Sequence, residues 1–573
     1  MASVHLTIDG KEIVAESGQT ILQAAEAAGI DIPTLCDHPA LEPIGACRMC
    51  LVEVEKQRAL QPACTFQATD GMVVHTESEK VVETRKFLLE LLFSERNHYC
   101  MYCQMSGDCE LQDLAYRYGL DSWLYPRPYT PLPVDATRQY FVMDHNRCVL
   151  CRRCIRACQE IVGNYTLGMG GRGSDSMIVA DMNVPFGESS CISCGTCLQV
   201  CPTGALMDRR SAYRGHETEV EHTKSTCTAC SLGCSMNVVT RDNQILRIEG
   251  DWDGAVNGGV LCVAGRFDIL DDVRKRVTKP MIRRNGALEA ATWDEAIDTV
   301  VGKLKAMDGD ALAALASSRA TNKALSQFAK VFGQLGAASV SATKEIPAFM
   351  QEAEGTLSVL DESDLYVLVG DDLREDHRVA GIMIQRGVMN RGARLVIVDD
   401  EPNGMDEMTI YKLGTTELDR AIEIAQHAEI PVVVYGPGAG DVLPKLREAL
   451  GDKAQYVGLV PGSNARGALK AGISGTFEAN GYSAAYVMAV DELIDPALLD
   501  KLSSAEFVVA QTSYFDALTE RADVVLPTTI WAETSSSSTN TEGQVQPLQA
   551  SLRAPAGVKQ DTEILEMLAA QLG

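Results

Sequence analysis

No stretch of this sequence approaches the ~18 uninterrupted apolar residues that a membrane-crossing helix needs, so no direct membrane span is expected. Positive charge is scarce too: 51 Lys and Arg stand against 78 Asp and Glu, a formal net charge of −27. So acidic a surface repels phosphate backbones, which argues against nucleic acid as a partner. The N-terminal segment MASVHLTIDGKEIV lacks the basic-then-apolar order of a secretory signal and alternates like a strand. A cytoplasmic location is the expectation. Nucleotide signatures are thin. Residues 168–173, GMGGRG, fit GxGxxG in letters only, because no clear strand precedes them and no βα crossover follows. Residues 436–441, GPGAGD, follow the strand-like PVVVY, but no ribose-binding acid stands at the expected distance, and a tight βα turn suffices.

What the chain has is length and cysteine. Its 573 residues, 46% hydrophobic and 23% charged, suit several globular domains. None of its 19 cysteines lies alone. A chain this large with CxxC spacing reads as metal-binding rather than disulfide-bonded. Cys148, Cys151, Cys154 and Cys158 form C-x2-C-x2-C-x3-C, and Cys191, Cys194, Cys197 and Cys201 repeat it before Pro202. In that bacterial-ferredoxin pattern the fourth cysteine of each run ligates the other cluster. One [4Fe-4S] cluster is therefore expected on Cys148, Cys151, Cys154 and Cys201, and a second on Cys191, Cys194, Cys197 and Cys158. Two runs in register leave little room for zinc, which usually takes two separated pairs.

Three further groups complete the inventory. Cys36, Cys47, Cys50 and Cys64 follow two alternating strands and the helical ILQAAEAAG, an order that suits a β-grasp domain with [2Fe-2S]. Gly45 there lets backbone N–H groups approach cluster sulfurs. Cys100, Cys103 and Cys109 are one ligand short of a [4Fe-4S] site. A lone histidine is more often structural than a ligand, yet no cysteine is spare and His98 is the only histidine nearby, so it is the candidate. Cys227, Cys230, Cys234 and Cys262 form C-x2-C-x3-C-x27-C, with strand-like SMNVVT and QILRIEG returning Cys262 to the cluster. Zinc stays open as the alternative for this single site. Arg147, Arg152, Arg153 and Arg156 around the first ferredoxin run either offset cluster charge or sit solvated on the surface. Ser535–Ser538 reads as a polar loop.

From about Lys279 short apolar segments (DLYVLVG, RLVIVDD, PVVVYGPG, YVGLV, AAYVMAV, FVVAQTSY, VVLPTT) recur at α/β spacing and argue a parallel sheet.

These motifs resemble known families over nearly the whole chain. The first cysteine groups resemble the G subunit of bacterial complex I and the related iron–sulfur subunits of soluble NAD-linked hydrogenases, some of them electron-bifurcating. The complex I pattern usually has three residues between histidine and first cysteine; here only Tyr99 separates His98 from Cys100, as in diaphorase subunits of soluble hydrogenases. Residues from TKSTCTACSLGC onward, with KPMIRRNGALEAATWDEAIDTV, GARLVIVDDEP, RADVVLPTTIWAE and TNTEGQVQP, resemble molybdopterin oxidoreductases such as formate dehydrogenases. All cysteines are already committed and the chain stops about 30 residues after TNTEGQVQ, so this part is expected to be a truncated scaffold without a Mo/W-pterin, since fold does not imply function.

The expected architecture is multidomain α+β and α/β: a β-grasp [2Fe-2S] domain at 1–80, a His/Cys3 [4Fe-4S] domain at 81–140, a 2[4Fe-4S] ferredoxin domain at 141–223, a molybdopterin-oxidoreductase-type [4Fe-4S] domain at 224–275 and the truncated α/β domain at 276–573. One [2Fe-2S] and four [4Fe-4S] clusters imply an electron relay with no substrate site of its own. The resemblance implies a flavin-containing NADH-binding subunit, a small thioredoxin-like [2Fe-2S] subunit and a catalytic partner such as a [NiFe] hydrogenase, with ferredoxin if the complex bifurcates electrons. A soluble hydrogenase-type complex is the leading reading. A respiratory complex I G subunit and an NAD-dependent formate dehydrogenase subunit are the alternatives.

Overall fold

The computed structural model describes residues 3–125, 131–478 and 481–572. They fall into two compact units, Met1–Val220 and Glu221–Gly573.

The N-terminal unit opens with a hairpin, Ser3–Ile8 against Lys11–Glu16, turned by Asp9 and Gly10 at φ 49° and 81°. Positive φ at both central residues gives the turn the twist its strands need. Met72–His75 pairs parallel to Ser3–Ile8 and antiparallel to Leu51–Val54, making a five-stranded sheet with Gln61–Pro62 at its edge. Helix Ile21–Ala27 starts at a reciprocal Thr20–Gln23 capping box and buries Ile21, Leu22, Ala24 and Ala25. A second helix, Glu79–Glu95, buries Val81, Arg85, Leu89 and Phe93, a four-residue spacing that marks one helix face. Beyond it regular structure thins. A short helix, Glu110–Arg117, a three-stranded sheet centred on Phe141–Asp144 and a hairpin of Leu167–Gly170 with Met177–Ala180 carry the rest. The GMGGRG run is the tip of that hairpin, with Gly171 and Gly173 at φ 69° and 60°.

The C-terminal unit begins with an antiparallel meander, Glu221–Thr226, Ser235–Arg241 and Gln244–Gly250. The apolar segments read as one parallel sheet form two. Tyr411–Leu413, Arg394–Val398, Leu365–Val369, Pro431–Tyr435 and Gln455–Gly458 make an all-parallel sheet in that order. Leu312–Ala316 and Ser339–Ala342 instead join Ala484–Val490, Phe507–Thr512 and Val524–Pro527, and the hairpin Met281–Arg284/Ala287–Ala290 caps that edge antiparallel. The central strands are buried on both faces, so they read as continuous apolar runs. Helices Trp293–Lys305, Asn322–Gln334 and Asp561–Leu572 supply Val300, Phe328, Phe332 and Ile564 to the main core. GPGAGD is a tight turn after Pro431–Tyr435, its Gly438 N–H donating to the Gly370 carbonyl at 3.0 Å. The serine run departs from expectation. Ser536–Thr539 is a strand paired antiparallel with Val545–Leu548, because backbone pairing satisfies it regardless of side-chain polarity. Among the described residues no helix is long and apolar enough to cross a membrane.

Candidate iron–sulfur sites

Thiols that press on one another electrostatically define the groups. Cys201 acts on Cys148, Cys151 and Cys154. Cys158 feels Cys194 and Cys191 instead, and Cys197 feels Cys194, Cys191 and Cys158 ahead of Cys201. The fourth cysteine of each run thus lies with the other run. Cys158, Cys191, Cys194 and Cys197 line a common cavity. The two groups approach each other where Cys154 and Cys197 interact, on the short helices Arg153–Arg156 and Thr196–Gln199.

The two runs repeat one backbone device. Leu150 and Ser193 are left-handed, at φ 53° and 54°, as are Arg152 and Gly195 at 61° and 70°. Each left-handed turn aims an N–H at sulfur: Leu150 donates to Cys148 Sγ and Ser193 to Cys191 Sγ, both at 3.4 Å. A non-glycine residue held there costs of order 1 kcal/mol or more, and successive inward N–H groups make an anion-binding nest. Such donors favour sulfur that carries negative charge.

In the first group the Cys47 N–H donates to Cys36 Sγ at 3.4 Å, and Cys50 Sγ lies 3.4 Å from Cys64 Sγ. Hydrogen bonding from Cys47 outweighs burial and holds the Cys36 thiol down to about 6, while that bond and burial push Cys47 up. Gly45, at φ 62°, presents its N–H to Cys64. His98, Cys100, Cys103 and Cys109 line one cavity together with Phe93 and Gly204. A Cβ at Gly204 would come within 2.8 Å of Cys103 Sγ, so the residue must lack a side chain. In the fifth group Cys227, Cys230, Cys234 and Cys262 act on one another, and the Cys227 N–H closes the loop onto the Cys234 carbonyl at 2.8 Å. Gly265 plays the part of Gly204 here: a Cβ would stand 2.9 Å from Cys227 Sγ. Behind the loop, Ser231 Oγ meets His377 Nε2 at 2.9 Å and His377 Nδ1 meets Asp371 at 3.0 Å, all three buried.

The donor chemistry fits metal. Burial pushes Cys109, Cys158 and Cys227 up to about 12, and Cys148 and Cys191 up to about 11. Thiols so placed stay neutral until a bound metal deprotonates them. Among the described residues no three His, Cys, Asp or Glu side chains converge as on a single ion. Thiols line these cavities, with glycines at the positions where a side chain would intrude on sulfur.

The four arginines near the first ferredoxin run divide. Arg152 is exposed, Arg147 pairs with Asp144 at 3.2 Å, and Arg153 and Arg156 are buried. A fifth arginine escapes a reading of the sequence. Arg85 is fully buried and binds the carbonyls of Met49 and Leu51 at 3.0 and 2.9 Å, on either side of Cys50, as well as Tyr118 Oη at 2.8 Å. Its signal is a cation at the i+4 step of the Val81–Leu89–Phe93 stripe.

Known families match nearly the whole chain. Residues 1–79 match a 2Fe-2S iron-sulfur cluster binding domain, 85–122 the NADH-ubiquinone oxidoreductase-G iron-sulfur binding region, and 139–207 the ferredoxin-like domain of NADH-quinone oxidoreductase subunit 3. Residues 220–269 match the molybdopterin oxidoreductase Fe4S4 domain, and 276–435 with 451–571 match molybdopterin oxidoreductase. The second of the NADH-quinone oxidoreductase G subunits of Rhizobium meliloti (strain 1021) is 34% identical over 417 residues, 70% of this chain and 48% of that protein. The NADH-quinone oxidoreductase G subunit of Rickettsia felis is 28% identical across 99% of this chain and 88% of its own length. The mitochondrial NADH-ubiquinone oxidoreductase 78 kDa subunit of Candida albicans is 27% identical across 100% and 83%. A chain in the crystal structure of an NAD+-reducing [NiFe]-hydrogenase in the H2-reduced state is 37% identical over 37% of this chain and 91% of its own, with a TM-score of 0.36. The chain thus spans about half the length of the Rhizobium relative and most of the other two. With iron–sulfur domains ahead of a molybdopterin-oxidoreductase domain in this order, the chain belongs to the G-subunit family of NADH-quinone oxidoreductases.

Proposed function

We propose that this chain is the iron–sulfur electron-transfer subunit of an NADH-linked oxidoreductase complex, working as the G subunit of an NADH-quinone oxidoreductase. In this reading Cys36, Cys47, Cys50 and Cys64 hold [2Fe-2S]. His98 with Cys100, Cys103 and Cys109 holds one [4Fe-4S]; Cys148, Cys151, Cys154 and Cys201 a second; Cys158, Cys191, Cys194 and Cys197 a third; and Cys227, Cys230, Cys234 and Cys262 a fourth. Clusters of these kinds, when bound, carry single electrons at potentials set by ligand type, hydrogen bonds to sulfur and burial. The residues supply those settings. Buried thiols exclude water, left-handed turns aim N–H groups at sulfur, and Gly204 and Gly265 clear space beside it. The carrying observation is the exchange of Cys158 and Cys201 between runs, a grouping that suits two clusters and gives nothing to separate zinc sites.

The relatives that span most of this chain carry the NADH-quinone or NADH-ubiquinone oxidoreductase name, which favours that complex over the soluble hydrogenase type. They lend no support to electron bifurcation. The partners this reading requires are a flavin-bearing NADH-binding subunit and a small thioredoxin-like [2Fe-2S] subunit; a [NiFe] hydrogenase belongs to the hydrogenase reading, which the single residue between His98 and Cys100 favours. The region from 276 onward acts as scaffold without a Mo/W-pterin, because all 19 cysteines already belong to the five groups. Mixing the anaerobically isolated chain with NADH and the flavin-bearing subunit tests the reading: several reduced-cluster EPR signals are expected. Clusters that stay oxidised would overturn it.

A further inference from the structure

The short helix Arg153–Arg156 is where four candidate sites of the N-terminal unit meet. Cys154 lies inside it with the first ferredoxin group, and Cys158, two residues past its end, with the second. On either side of Cys154 stand two buried guanidiniums, Arg153 at 3% and Arg156 at 6% exposure. Arg153 forks onto Glu110, Nη1 to Oε1 at 2.5 Å and Nη2 to Oε2 at 2.8 Å, and Glu110 directly follows Cys109. Arg156 donates instead to two backbone carbonyls, those of Cys36 and Glu42, in the loop of the first group. Its hydrogen bonds there go to backbone dipoles, while the Asp37 carboxyl of the same loop interacts electrostatically with both guanidiniums. The Nε of each arginine is buried with no hydrogen-bond partner. A buried donor left unmade costs about 1–3 kcal/mol. Two such unmet donors on one helical turn, flanking a thiol, call for an anionic acceptor between them.

Resting on the ligand assignment above, we propose that Arg153 and Arg156 are positioning residues that join three cluster sites and raise their reduction potentials. The net negative cluster on Cys148, Cys151, Cys154 and Cys201 is the acceptor their Nε donors lack. Arg156 fastens that site to the [2Fe-2S] loop through the Cys36 carbonyl, and Arg153 fastens it to the His98–Cys109 site through Glu110. Cation and cluster attract more strongly after an electron arrives, so both arginines favour the reduced state.

EPR-monitored redox titration of the full, anaerobically purified chain tests this. At fixed potential, Arg156→Met is expected to lower the reduced-to-oxidised ratio about tenfold at the [2Fe-2S] site and the first ferredoxin site, about 59 mV for a one-electron couple. Arg156→Lys keeps the charge and should recover most of that shift. Equal shifts in the two variants, or none in the Met variant, would show a merely structural role and overturn the proposal. Glu110→Gln provides an arm that spares the interior, since the Glu110 side chain is 47% exposed. Stripping Arg153 of its counter-charge should ease reduction at the His98–Cys109 and first ferredoxin sites; unchanged potentials there would overturn the proposal even if Arg156→Met fails to fold. A wild-type chain without cluster signals would instead sink the ligand assignment, a failure distinct from unshifted variants of a loaded chain.

Discussion

The largest fully buried side chain of the N-terminal unit is a guanidinium, Arg85, whereas those of the C-terminal unit are Tyr366, Tyr435 and Tyr486 on central parallel strands. The contrast runs through both interiors. The described residues of 1–220 have short strands, small apolar clusters and thiols at the centre of their loops. Residues 221–573 bury two multi-stranded sheets under helices in large apolar clusters, the main one drawing on strands of both sheets. Modules of 60–80 residues bury too little apolar surface to be stable alone and need a staple. The N-terminal unit, we infer, takes that staple from metal, while the C-terminal unit takes its stability from hydrophobic burial.

Iron removal should break the comparison open most widely. Anaerobic chelation is expected to abolish amide-exchange protection throughout 1–220 and around Cys227–Cys262, while strands such as Leu365–Val369 stay protected. Equal loss in both units would refute the contrast. A core cavity should do the reverse. Phe332→Ala, which empties a site packed on Phe328 and Tyr486, is expected to cost about 3–5 kcal/mol in denaturant unfolding of the C-terminal unit and to leave the N-terminal EPR signals unchanged.

How much of this was legible in the sequence follows from what holds each half together. Cysteine spacing is a local code, so the five groups could be read directly, and strands such as PVVVY declare themselves by continuous β-branched runs. LAALA at 312–316 did not. Its alanines are the best helix formers, and only burial between Ser339–Ala342 and Ala484–Val490 makes it a strand. The serine strand at 536 was hidden because backbone pairing leaves no mark on polar side chains. The division into two sheets depends on pairings hundreds of residues apart, as between Leu312–Ala316 and Ala484–Val490. Arg153 and Arg156 read equally as cluster counter-charges or surface cations, and Arg85 escaped the reading altogether, since nothing in composition tells a guanidinium that grips protein oxygens from one in water.

Asp561 sharpens the C-terminal side. Burial pushes its carboxyl up to about 6, against hydrogen bonds from Thr528 and Gln511 that pull it down. An acid whose folded pKa lies above its unfolded value, near 3.9, stabilises the fold below that value and loses the contribution as pH rises through about 6. Asp561→Asn is therefore expected to flatten the decline in stability between about pH 4 and 6, worth roughly 3 kcal/mol for two units. An unchanged pH profile would show that Asp561 is not its source. The smallest effect is at the surface. Thr292→Ala, which removes the capping box opening helix Trp293–Lys305, is expected to cost about 1 kcal/mol in the same unfolding experiment.

Iron and acid-labile sulfide counted on the anaerobically isolated chain, with Mössbauer spectra to sort cluster types, test the central claim most directly. About eighteen irons per polypeptide are expected, two from [2Fe-2S] and sixteen from four [4Fe-4S] clusters. Stoichiometric zinc, or iron enough for only one or two clusters, would contradict the account.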